Sequence, residues 1–137
     1  MSFETFMRQR APVTGEPSVT IQKRGTLSLN VPAYSALGSP EAVELLFDRD
    51  QRLMALRAVD PSAESAYPIR PLGRGSTWLV SGKAFTKYYG IETGSAHRWT
   101  GRVEDGLLIV DLKEPGTDVS MGRSQDADTD LERPKFL

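Results

Sequence analysis

The strongest constraint on this chain is that it reads the same way twice. Val19, Ile21, Leu27 and Leu29 alternate with polar neighbours, the pattern of half-buried strands, and Lys23-Arg24-Gly25 supplies a turn between them. VPAYSALG follows, with Pro32 suited to a first helical turn and Gly38 to the position just past the last. AVELLF and RLMALRAV then flank DRDQ, a hairpin with a polar tip. After DPSAESAYP the order returns. AYPIRPLG is extended, TWLVSG is short and apolar, KAFTKYYG is a short helix ending at Gly90, and RWTGRV and LLIVDL flank Glu104-Asp105-Gly106. Asp-Gly between apolar runs is a strong hairpin signal. The copies superpose with little drift. Leu27, Leu29 and Asn30 match Trp78, Val80 and Ser81 at an offset of 51; Gly38 matches Gly90 at 52; Leu53, Ala55 and Leu56 match Leu107, Ile109 and Val110 at 54.

About 40 residues of hairpin, helix and hairpin cannot bury an apolar face alone, whereas two copies can interleave into a small barrel without open edges. The expected fold is therefore mainly β with short helices, a β-rich α+β chain. Its expected form is a single-chain, pseudo-two-fold small β-barrel built from two hairpin–helix–hairpin repeats. The segments are an N-terminal arm (1–17), repeat 1 (18–59), a linker (60–67), repeat 2 (68–113) and an acidic tail (114–137) expected to be disordered. Asp126, Asp128, Asp130 and Glu132 make that tail acidic.

Composition narrows the chemistry. The chain has 17 Lys and Arg against 18 Asp and Glu, so it does not coat polyanions on every face. Residues 1–123 carry 15 basic and 14 acidic side chains, and the tail reverses that sign. With no Cys and one His, disulfides, thiolate chemistry and poly-His metal sites are excluded. No apolar run approaches the roughly 18 residues of a membrane span, and MSFETFMRQR has no apolar signal core. The expectation is a cytoplasmic protein without a membrane anchor. His97 reads as a surface or capping residue, GRGS (73–76) as a turn, and Asp48, Arg49 and Asp50 as a hairpin tip. With no visible nucleophile–base pair, neither an enzyme nor a cofactor is expected.

GTLSLNVPAYSALG (25–38) followed by AVELLFDRDQRLMALR (42–57) resembles the AbrB-type swapped-hairpin module: a turn glycine, a short apolar strand, a short helix ending in Leu-Gly, and a terminal hairpin. Two units in one chain resemble the MraZ arrangement, and the likeness covers about 95 of the 137 residues. Where that family commonly has Pro directly after the short strand, this chain has Asn30 and Ser81. The resemblance implies a DNA-binding barrel gripping the duplex through its first hairpins. It nominates Lys23 and Arg24 in copy one, with Arg70 and Arg74 at the corresponding place in copy two. Lys83 and Lys87, spaced i, i+4 on the second helix, and Arg8 and Arg10 on the arm extend the set. Lys and Arg neutralise phosphates, and Arg reads guanine through a bidentate contact.

Two classes of function fit. One is a regulatory protein on double-stranded DNA, with a variant that stacks unpaired bases on Trp78, Phe85, Tyr88, Tyr89 and Trp99. The other is an assembly module without nucleic acid, docking another protein or a second copy as a homodimer.

Overall fold

Alternating apolar residues become strands whose inward positions build one core. The computed structural model describes residues 15–73 and 75–119. The chain forms β1 (Ser18–Ile21), β2 (Thr26–Leu29), α1 (Val31–Ala36), β3 (Ala42–Asp48) and β4 (Leu53–Ala58). It continues with β5 (Tyr67–Leu72), β6 (Thr77–Ser81), α2 (Lys83–Tyr88), β7 (His97–Thr100), β8 (Arg102–Glu104), β9 (Leu107–Asp111) and β10 (Thr117–Asp118). The fold is mainly β with two six-residue helices. Val19, Ile21, Leu27, Leu29, Val43, Met54, Leu56, Val80, Leu108 and Val110 are each at most 1% exposed and fill the interior. No described helix is long and apolar enough to cross a membrane.

All strand pairs are antiparallel, and the hydrogen-bonded order is β10-β7-β1-β2-β6-β5-β3-β4-β9-β8. Hydrogen bonds do not close this sheet, in contrast to the edge-free barrel expected above. The ladder ends because the RWTGRV strand breaks: only Gly101 separates β7, which pairs with β1, from β8, which pairs with β9. One bent stretch thus serves both ends of the order, as strands do when they turn a corner between sheets. β5 also changes partners midway. Tyr67 and Pro68 face β3, whereas Ile69 to Leu72 face β6. The sequence pattern also misses β10. Thr117 and Asp118, within the segment assigned to the acidic tail, pair with Arg98 and His97. Only a two-residue ladder forms, too short to leave a period-2 signal.

The two expected units pair mostly with each other. β2 lies beside β6, with Ser28 opposite Leu79, and β4 lies beside β9, with Ala55 opposite Ile109. β1 is flanked by β2 and β7, and β5 by β6 and β3. Asn30 ties the first unit together locally. Its Oδ1 accepts from the Ser18 and Ala33 amides, both at 3.0 Å, and its Nδ2 donates to the Glu16 carbonyl at 3.0 Å. It is thus the N-cap of α1 and a clamp on the start of β1. On the outside of β3, the Glu44 carboxylate accepts from Ser65 at 2.6 Å and pairs with Arg57. The Ser65 bond first, and Arg57 second, hold its carboxyl below the usual range.

Two outcomes follow. Asn30→Ala loses a cap and two further bonds and is expected to destabilise by about 2 kcal/mol in urea denaturation; a change below about 0.5 kcal/mol, the range of a neutral surface substitution, contradicts this role. A carboxyl depressed by folding contributes stability above its unfolded value near 4.3, and that contribution disappears as pH falls through the lowered folded value. Glu44→Gln is therefore expected to flatten stability against pH below about pH 5 while leaving the slope at neutral pH unchanged. Identical acid limbs for both proteins contradict it.

Candidate nucleic-acid interface

The basic residues of the first hairpin and of α2 meet because two glycines allow their backbones to touch. Lys23–Gly25 form a single 3-10 turn, with Arg24 at φ 77° and Gly25 at φ 96°. The Gly25 amide donates to the Gln22 carbonyl at 2.9 Å, and the Arg24 amide reaches the Thr93 carbonyl beyond α2 at 3.4 Å. A Cβ on Gly25 would stand 2.6 Å from Thr86 Oγ1 and 2.8 Å from Lys83 Cα. A Cβ on Gly82, the N-cap of α2, would stand 2.7 Å from the Gly25 carbonyl oxygen. Only Gly at both positions permits this approach. The result brings exposed Lys23 and Arg24 against the helix that carries exposed Lys83 and Lys87. None of these four joins an ion pair among the described residues; the pairs there use Arg57, Arg102 and Lys113.

A second hairpin approaches the same helix. Arg52, near the tip between β3 and β4, donates to the Tyr89 carbonyl at 3.4 Å and lies 5.2 Å from the Phe47 ring centre, so it caps the C-terminal end of α2. Arg49, at the tip, sits 4.9 Å from the Tyr89 ring centre and 5.6 Å from that of Tyr88. Lys23, Arg24, Arg49 and Arg52 thus flank α2, which itself carries Lys83 and Lys87. Of the neighbouring carboxylates, Asp48 and Glu92 accept from backbone amides, and Asp50 stands exposed beside Arg49 at the tip. By contrast α1, VPAYSA, carries no charge. Arg49 and Arg52 escape a sequence reading because Tyr88 and Tyr89, which tie them to α2, lie 37 to 40 residues away and no local spacing signals the contact.

The other nominated residues do not join this cluster. Arg70 is not in a turn. It lies within β5 opposite Leu79, because the β5–β6 hairpin turns only after Leu72. Register places it at the end of a row, Arg98, Thr20, Ser28, Leu79 and Arg70, across five strands. Arg74, Arg8 and Arg10 lie outside the described residues.

The aromatic residues divide by role. Trp78 stacks on Tyr34 with centroids 4.1 Å apart. Trp99 donates to the Glu114 carbonyl at 2.9 Å and packs under Gly116. Phe85 and Tyr89 join Phe47 in a cluster, which leaves Tyr88, 72% exposed, as the open ring. His97 Nδ1 lies 3.2 Å from the Ser95 carbonyl and donates to it. Among the described residues no three His, Cys, Asp or Glu side chains converge on a metal position.

No protein-family model, curated protein or solved structure matches the chain.

The Gly25 contact carries a stability consequence of its own. Gly25→Ala combines a strained positive φ with a clash against helix backbone and is expected to cost about 2–3 kcal/mol. The decisive measurement is a chemical-denaturation midpoint; a variant as stable as the parent contradicts the tight turn–helix approach.

Proposed function

We propose that the protein is a DNA-binding regulatory protein that contacts duplex DNA through the cationic face around α2. The observation that carries this reading is the contact of Gly25 and Gly82, which joins Lys23 and Arg24 to Lys83 and Lys87, none of them in an ion pair among the described residues. Surface cations left unpaired are free to neutralise phosphates and release counterions. An overall charge near zero argues for a local contact rather than a wrapping one. With Tyr88 the open ring of the aromatic set, duplex backbone is favoured over a run of stacked single-stranded bases.

The scaffold in this proposal is a small pseudo-two-fold barrel of two hairpin–helix–hairpin repeats, similar to the AbrB and MraZ module. The pairing pattern supports it. Exchanging β1, β2, α1, β3 and β4 for β5, β6, α2, the bent β7–β8 stretch and β9 leaves every neighbour relation among these strands unchanged. The offset of 51 relates Ser28 to Leu79, and the offset of 54 relates Ala55 to Ile109. Each of these pairs stands directly opposite across its ladder, where a two-fold axis requires equivalent residues to meet. The two units differ in the helix. Two lysines and two tyrosines occupy α2 and its C-cap, and α1 has none of those lysines, which places the contact on one side only. A cytoplasmic setting accompanies the proposal.

The test is salt-dependent binding to a mixed-sequence duplex. Four neutralised phosphates give a slope of log affinity against log salt near −3.6. Replacing Lys23 and Arg24 by Ala, or Lys83 and Lys87 by Ala, is expected to flatten it by about two units each, whereas Arg70→Ala changes it by less than about one. Folding stability should move by less than about 0.5 kcal/mol per exposed site. No shift of duplex or single strand at low salt removes the nucleic-acid reading.

A further inference from the structure

The ladder between β3 and β5 stops early, and a cleft opens where it stops. Glu41 accepts from the Ile69 amide and Ala42 from the Val59 amide, so odd-numbered residues of β3 point their backbone groups toward β5 and even-numbered ones toward β4. Val43 faces Tyr67, but the pairing goes no further. The same register would set residue 65 opposite Leu45 and residue 63 opposite Phe47. The linker instead coils into turns: the Ala63 amide donates to the Asp60 carbonyl, the Ala66 amide to the Ala63 carbonyl, and Ser62 to the Asp60 carboxylate. The N–H and C=O groups of Leu45 and Phe47 on that side have no hydrogen-bond partner among the described residues.

Beside this open edge lies a cleft of about 520 Å³. Leu45 and Tyr67 line it from the sheet, Ala84, Phe85 and Tyr88 from α2, and Glu64 stands on the linker wall. Tyr88 is exposed, and Arg49 lies over its ring without an ion pair among the described residues. An unpaired strand edge invites another strand, and natural folds usually blunt or cover it. Here the edge is flanked by an apolar wall of Leu45, Phe85 and Tyr88 that alternate side chains can fill, by a linker wall carrying Glu64 and Ser65, and by the cation of Arg49 at one end. Those are the elements of peptide recognition by strand addition, where the main chain supplies affinity and side-chain pockets supply specificity.

We infer that the cleft between β3, α2 and the linker binds an extended peptide segment of a partner protein, which adds a strand to β3 at Leu45 and Phe47. The occupant has apolar residues at alternating positions and an acidic residue at the end beside Arg49. The open edge runs only from Leu45 to the end of β3 at Asp48, a length that suits one short extended segment. The site shares Arg49 with the cationic cluster around α2 but lies apart from Lys23, Arg24 and Lys83, on which the proposed DNA contact rests. Ala84 and Tyr88 lie on the cleft flank of α2, and Lys83 lies on the flank that meets the Gly25 turn.

The probe is a blocked heptapeptide of alternating valine and threonine with glutamate at both ends, titrated into the full chain. Saturable binding is expected, with NMR shifts and slowed hydrogen exchange at the Leu45 and Phe47 amides. Tyr88→Ala and Ala84→Arg alter exposed positions and should each weaken binding about tenfold, the effect of losing an interface anchor or filling its pocket. The double Ala substitution of Lys23 and Arg24 should leave peptide affinity unchanged. Methylating alternate peptide nitrogens on the edge-facing side should abolish binding. Any one of four outcomes overturns the proposal: no saturable binding, equal affinity of the methylated peptide, amide shifts with a single-stranded oligonucleotide but not with the peptide, or a chain dimer that Ala84→Arg dissolves.

Discussion

The structure depends most on two of the four ladders that join its halves, β2 against β6 and β4 against β9. Each brings together strands roughly 50 residues apart, and each buries residues on both sides: Leu27 and Leu29 with Val80 in one, Met54 and Leu56 with Leu108 and Val110 in the other. Remove one half and the remaining hairpins lose their neighbours along those edges. Backbone groups and apolar side chains would then face water together, and a unit of that size has too little interior to compensate. The shared core is therefore a condition for either half to exist as ordered chain.

Much of this arrangement was legible in the sequence because it is written in local chemistry. Val19 and Ile21, Met54 and Leu56, and Leu108 and Val110 alternate at period two, and each pair faces inward. Pro32 opens α1 and Gly38, at φ 85°, follows it. Asp105 and Gly106, at φ 52° and 78°, make the final hairpin turn. What escaped is non-local. Nothing near Gly101 announces that one strand will break and serve two partners. Nothing near Thr117 announces a strand, since two residues carry no period. Arg70 lies outside the turn that the pattern assigns it to, because the second hairpin is longer than the first and turns after Leu72. The candidate site was half visible: its lysines have helical spacing, but the approach of Gly25 to Gly82, which assembles it, is a contact across 57 positions.

The two helices differ in chemistry. Val31, Ala33, Ser35 and Ala36 of the first helix stand where Lys83, Phe85, Lys87 and Tyr88 stand in the second. Core strands tolerate little such change, because a different volume there alters packing on both halves. A short helix at the rim is freer. Charge can collect on one flank of α2 and aromatic surface on the other without disturbing the ladders. On the two proposals above, the six residues of α2 thus serve the DNA contact with one flank and the peptide cleft with the other.

The bend at Gly101 also sets a timetable. β1 is among the first strands to leave the ribosome, yet its second neighbour, β7, pairs Ser18 with Thr100, some eighty residues later. Until then the outer edge of β1 has no mate, and the same stretch of chain must arrive before β9 can gain β8. Contacts this distant slow folding and prolong the life of incomplete sheets. The nascent chain consequently waits, with its first hairpin exposed, for a segment that completes both ends of the sheet at once.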